Sequence, residues 1–247
     1  MIIGTIQAFN EEGQIGQAVN SLFEAGVHKV FVLDGAWRNP DGTWFGGAGH
    51  KSSDRTVDEA REAGARVDCV PENFSGGDGA KRDLLVQYAG AALGDHLLLL
   101  DADELLVGRV SGPAAPSEHG CIVLHNREND LPGVRTPWLD KAVRESVPLL
   151  RWFRFYPTLR CRAPGQYTVE GKLLRPYLTQ QLQDELAKRG DDTALRAAYT
   201  ALRDVEDQLP NEYLSAYPIV PGVEIVHRSE PRAARIQAKV RYYGVQP

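Results

Sequence analysis

The chain has 247 residues, 43% hydrophobic and 25% charged, with a formal net charge of −5. That length suits one large domain, or one domain with an elaborated second half, able to bury a core without disulfide or metal staples. The acidity excludes a surface built throughout for nucleic acid and leaves room only for a local basic patch. Cys69, Cys121 and Cys161 are far apart, with no metal-ligand spacing and no disulfide framework. They read as buried small hydrophobes in a reducing compartment. The start, MIIGTIQAF, lacks the basic region of a signal peptide, and no apolar run approaches a transmembrane segment, so a cytoplasmic location is expected.

Ile2 to Phe9 is apolar and β-branched, a first strand ending at Asn10-Glu11-Glu12, where Asn10 or Glu11 can cap a helix. Ile15, Ala18, Val19, Leu22 and Phe23 then share one helical face, and Gly26 supplies a stop. Val27 to Leu33 predicts a second strand ending at Asp34-Gly35, which completes a βαβ unit with a right-handed crossover. Residues 36–51 are too irregular for either period. Within them Trp37, Trp44 and Phe45 either stack on a ligand or pack the loop on its own domain. Ser53 and Asp54 can cap a helix carrying Val57, Ala60 and Ala63, closed by Gly64, and Ala65 to Val70 predicts a third strand. After the turn at residues 73–79 comes a helix whose face is Ala80, Leu84, Leu85, Tyr88, Ala89 and Ala92, stopped by Gly94.

Leu97 to Leu100 is a run with no polar position to alternate against, which suits a strand buried on both faces of a mostly parallel sheet. It stops at Asp101-Ala102-Asp103-Glu104. Alone, such acids read most simply as a solvated cap of the next segment. At the carboxyl end of a buried strand they also stand where open α/β sheets place ligands, and carboxylates suit Mg²⁺ or Mn²⁺ shared with substrate phosphates. Three βα units ahead of this strand make a doubly wound half-domain.

Beyond residue 110 the pattern loosens. Cys121 to His125 and Leu149 to Tyr156 predict strands, separated by an irregular stretch holding Trp138. Arg151 to Arg162 interleaves arginines with aromatics, which serves phosphates or bases, or more simply gives a strand with arginines on its solvated face. A helical insertion is expected at about 177–209, then a short strand, Val223 to Val226, then His227 and a basic C-terminal helix over 232–243. A boundary near residue 110 separates a nucleotide-binding half, 1–110, from an acceptor-side half, 111–247, within one continuous sheet.

Three strand ends, AFNEE (Ala8 to Glu12), LDGA (Leu33 to Ala36) and LDADE (Leu100 to Glu104), occur in order with SSDRT (Ser52 to Thr56) and GAKRD (Gly79 to Asp83) between them. This set resembles the GT-A fold glycosyltransferases of the large family-two type, over roughly the first 110 residues and then at His227. The resemblance implies a mostly parallel Rossmann-like α/β sheet flanked by helices and a nucleotide-diphosphate sugar as donor. It implies Ala8, Asn10 and Glu11 lining the nucleotide pocket, Asp34 on the base or ribose, and Arg82 with Lys81 at the diphosphate or orienting the acids. It further implies Asp101 contacting ribose or metal through water, Asp103 binding Mn²⁺ or Mg²⁺ directly, and His227 completing the metal shell. The chain departs from the family pattern in its second half, where no clear base motif stands. Glu170, in YTVEGK, is nearest in order to the family's base, with Glu128, Asp130, Asp140 and Glu145 as rivals.

The leading expectation is therefore metal-dependent sugar transfer to an acceptor hydroxyl on a glycan, protein, small molecule or modified nucleic acid. A sugar nucleotidyltransferase ranks behind, because the acidic AFNEE is hostile to a triphosphate. A non-catalytic nucleotide- or glycan-binding module of the same fold is the third reading.

Overall fold

The computed structural model describes residues 1–39, 42–45, 49–110, 115–126, 147–163, 166–174 and 217–227. In chain order these give β1 (Ile2–Ala8), α1 (Ile15–Glu24), β2 (Lys29–Asp34), α2 (Thr56–Glu62), β3 (Arg66–Cys69), α3 (Asp78–Tyr88), β4 (His96–Asp101) and β5 (Glu104–Gly108). There follow β6 (His119–Asn126), β7 (Val147–Arg154), β8 (Arg160–Ala163), β9 (Gln166–Val169), β10 (Lys172–Leu174) and β11 (Ile219–His227). The expected insertion, the C-terminal helix and Trp138 lie outside the described residues.

One eight-stranded α/β sheet has the order β3-β2-β1-β4-β7-β6-β11-β5. The first four strands are mutually parallel, and β6 and β11 run with them, while β7 and β5 run against. The sheet is thus mixed and mostly parallel. Six strands end at one edge, with Ala8, Asp34, Cys69, Asp101, Asn126 and His227 as their last residues.

The sheet also curls. β4 and β5 stand four inter-strand spacings apart in the ladder, about 19 Å if the sheet were flat. Yet only Ala102 and Asp103 join them, a link that spans at most about 11 Å from Asp101 to Glu104. The second half of the sheet must therefore bend until its outer strand returns to β4. Helix α1 fills the concave side, packing on β5, where Leu106 N–H donates to Ser21 Oγ at 3.1 Å.

The leucines of β4 divide between the two faces, as a doubly buried strand requires. Leu98 and Leu100 join α1, Trp152 and Ile225 in one cluster, whereas Leu97 and Leu99 join Phe153, Cys161 and Tyr167 in another. A separate antiparallel sheet, β10-β9-β8, covers the latter face together with α3. Neither this small sheet nor β5 has a sequence period long enough to announce it.

Two helices differ from expectation. Helix α1 starts at Ile15 after a turn closed by Glu11 O, with no side-chain cap at Gln14. Helix α3 ends at Tyr88, six residues before Gly94, and turns Asp78, Lys81, Leu85 and Val86 inward while Ala80 is exposed. Its first turn buries charges because each finds a partner there; of the apolar face expected, Leu84, Leu85 and Ala89 pack inward while Ala80 and Tyr88 do not.

Candidate active site

The site is built at the edge where the parallel strands end. Asn10 takes a left-handed φ of +54°, a conformation asparagine tolerates better than most residues. Its N–H donates to Ser52 Oγ at 2.8 Å, and Ser53 N–H returns to Asn10 Oδ1 at 2.9 Å. Glu11 N–H donates to Thr56 Oγ1 at 2.6 Å, and Asp54 accepts the Thr56 N–H at 3.0 Å. The SSDRT segment is thus the clamp that shapes the loop after β1.

Asp34 anchors the same clamp from below. It is fully buried, and Ser52 donates to both carboxylate oxygens, through its hydroxyl to Oδ1 and its N–H to Oδ2 at 3.2 Å. The neighbouring Gly35 has φ +125°, and a Cβ there would collide with His50 O and Val70. Only glycine lets the 50–56 segment approach β2 this closely.

Lys81 braces the strand ends themselves. Completely buried, its Nζ donates to Ala8 O at 2.8 Å and to Gly35 O, and lies 5.5 Å from the Trp37 ring centre. Burial lowers its pKa to about 8, against the pull of Asp34 and Asp78. The ammonium therefore ties β1 to β2 underneath the site rather than facing outward.

Beside it runs a buried chain of alternating charges. Asp78 accepts from Gln7 Nε2 at 2.9 Å and pairs with Arg82 Nε at 3.3 Å. Arg82 Nη2 reaches Asp101 Oδ1 at 3.1 Å, and Arg151 Nη2 reaches Asp101 Oδ2 at 3.0 Å and Glu104 Oε1 at 2.7 Å. Burial opposes ionisation of Asp101, but the two guanidinium groups overrule it and hold the carboxyl far below the usual carboxylate range. Asp101 is thus held ionised between Arg82 and Arg151.

Asp103 takes a different partner. Two residues along, it is buried, and its Oδ2 lies 3.3 Å from His227 Nε2. The antiparallel pairing of β11 with β5 sets His227 opposite Glu104, and so delivers the histidine to the turn that follows β4. A carboxylate oxygen beside an imidazole nitrogen suits Mn²⁺ or Mg²⁺ bound through few protein ligands, with water and substrate phosphate completing the shell. Among the described residues no cluster of three or more His, Cys, Asp or Glu is arranged to hold an ion by itself.

Glu170 is not brought to this edge. β7 sets Arg154 opposite His96, and Phe155 N–H donates to Asp95 O, so the chain after β7 lies at the amino end of β4. There Thr158 Oγ1 accepts the Glu170 N–H at 3.2 Å. The length of β4, about 17 Å, separates that end from the acids. Glu170 is an exposed turn residue with φ +53° between β9 and β10. The rival acids Glu128, Asp130, Asp140 and Glu145 lie outside the described residues.

Trp37 stacks on Phe45 at 4.1 Å, and Phe45 packs on Phe9 and Ala36, while Arg38 lies 3.5 Å from the Trp44 ring centre. These aromatics pack the loop on its own domain. Of the arginines after residue 150, Arg151 points into the charge chain, whereas Arg154 pairs with Glu118 and Arg160 approaches Asp83, both half-exposed. Sequence reasoning met Arg151, Glu104 and Ser52 only as members of motifs and gave none of them a role of its own. The signal for Arg151 was strand alternation, which puts it on the opposite face from Trp152.

No family model and no curated protein matches the chain. Solved structures do. Glucosyl-3-phosphoglycerate synthase from Mycobacterium tuberculosis, in complex with Mn²⁺, uridine diphosphate and phosphoglyceric acid, is 21% identical over 52% of this chain and 44% of its own, with a TM-score of 0.34. TarS residues 1–349 from S. aureus, in complex with UDP, is 20% identical over 62% of this chain and 46% of its own, at 0.37. A mycobacterial protein is 17% identical over 98% of this chain and 75% of its own, at 0.43. The chain thus spans less than half the length of the synthase and TarS chains it matches.

Proposed function

We propose that this protein is a metal-dependent glycosyltransferase that moves a sugar from a nucleotide-diphosphate donor to an acceptor hydroxyl. The observation that carries the reading is the meeting of Asp103 and His227, 3.3 Å apart, at the carboxyl edge of the sheet beside the clamped loop of Asn10 and Glu11. Asp103 and His227 hold the ion, whose chemistry, when bound, is to offset the negative charge that develops on a departing diphosphate. Ala8, Asn10 and Glu11 bound the nucleotide pocket, and Asp34 keeps its rim in shape through Ser52.

Lys81 and Arg82 act from beneath. Lys81 holds the ends of β1 and β2, and Arg82 steadies Asp101, so that loss of either acts through geometry rather than through a lost phosphate contact. Asp101 contributes as the fixed base of the turn that presents Asp103. Deprotonation of the acceptor belongs to a group other than Glu170, which stands at the far end of β4.

The decisive test is Mn²⁺-dependent hydrolysis of a panel of nucleotide-diphosphate sugars without acceptor. Turnover of one donor is expected, abolished by Asp103→Ala with the melting temperature kept within a few degrees. Hydrolysis undiminished in that variant, or no donor turned over in any metal, overturns the reading.

A further inference from the structure

The two ends of the turn 101–104 are joined by one side chain that belongs to neither strand. Arg151 Nη2, from β7, donates to Asp101 Oδ2 at 3.0 Å and to Glu104 Oε1 at 2.7 Å, and the other Glu104 oxygen accepts the Asp101 N–H at 2.9 Å. Ala102 is buried between them, and the next residue, Asp103, meets His227 across the β5–β11 ladder. Nitrogen, two carboxylates and one backbone N–H thus close a ring around the turn.

We infer that Arg151, acting through Asp101 and Glu104, is the positioning residue that aims Asp103 at His227. Asp101 keeps a second guanidinium in Arg82, so its charge is already matched. What Arg151 adds is the tie to the β5 end of the turn. Groups that orient metal ligands from behind govern metal affinity by about 10- to 100-fold. The inference rests on the proposed function only where it concerns the ion; the geometry of the pair is independent of it.

The test removes the tie without leaving an unpaired buried charge. Arg151→Met alone strands Glu104, so the double variant Glu104→Gln/Arg151→Met is used, with Arg154→Gln as a control on the same strand. The first readout needs no metal: the long-range ¹H–¹⁵N signal of the His227 imidazole at one fixed pH, assigned by its absence in His227→Gln. The second is uptake of Mn²⁺ alone, followed by electron paramagnetic resonance. With the melting temperature near that of the parent, the double variant is expected to lose the Asp103-bonded His227 signal and to bind Mn²⁺ about 10- to 100-fold more weakly. A folded double variant with the parent's His227 signal overturns the inference. Should it not fold, Glu104→Met alone removes both acceptor oxygens of the tie while leaving Arg151 on Asp101, and the same loss or retention of signal decides. A changed His227 signal in a protein whose parent takes up no Mn²⁺ supports the positioning role and defeats the metal reading instead.

Discussion

Lys81 and Glu170 show how much a single side chain's surroundings decide. Lys81 is charged in the unfolded chain up to its ordinary pKa of 10.5, but in the folded protein only up to about 8. Between those values the unfolded state binds the extra proton, so stability rises with pH across that window and the cost of burying the charge is present in full below it. The rise amounts to about 3 kcal/mol. Denaturant unfolding at pH 7.5 and pH 10 is expected to show most of that rise in the parent and not in Lys81→Met. A neutral amine keeps enough N–H groups for Ala8 O and Gly35 O, so the brace survives its own deprotonation. Glu170 makes the opposite case. Its left-handed φ costs an ordinary residue about 1–2 kcal/mol, and glycine's extra entropy in the unfolded chain returns part of that. Glu170→Gly is therefore expected to stabilise by about 0.5–1 kcal/mol, and Glu170→Gln to leave turnover within twofold. A hundredfold loss on either change would restore Glu170 as the base.

Among the elements, the βαβ units were legible because their physics is local. Alternation, helical spacing and polar strand ends place β1 to β4 within two residues of their observed limits. What the periods do not carry is exchange between elements. The inward face of α3 is charged because Ala8 O, Gly35 O, Gln7 and Asp101 wait for it, and no window on the helix itself contains those partners. For the same reason Arg151 could not be told from Arg154 by composition. Close approach of two loops is the other property of this scale, and it falls on Gly35. Gly35→Ala places a Cβ against His50 O and Val70 and adds a left-handed penalty, so a loss of about 2–4 kcal/mol is expected in urea unfolding. A smaller loss would mean that the 50–56 segment gives way easily, and the Ser52–Asp34 clamp with it.

For the whole molecule, no described helix is long and apolar enough to cross a membrane. The order of motifs pointed to the edge where Asp101 and His227 both end strands, although the curl that joins them depends on the register of β6, β7 and β11, which lies beyond any sequence window. Ligands at that edge bind only the folded protein. A matching nucleoside diphosphate with Mn²⁺ at one hundred times its dissociation constant adds about 2.7 kcal/mol, which for a chain of this size is about 5–10 °C in the melting temperature. The rise is expected only with nucleotide and metal together, and to vanish in His227→Ala. A rise from nucleotide alone, undiminished in that variant, would separate the pocket from the pair.

The two-residue link between β4 and β5 has a consequence for how the protein is made. β5 leaves the ribosome directly after the leucine strand, but its partner in the ladder, β11, emerges more than a hundred residues later. Until then β5 has no ladder partner, and Asp103 has no histidine. Loop closure over that separation is slow compared with forming the local βαβ units. Synthesis therefore yields β1 to β4 first and the Asp103–His227 contact last. A nascent chain at that stage would hold the loop after β1 and lack the histidine that the proposed metal site needs.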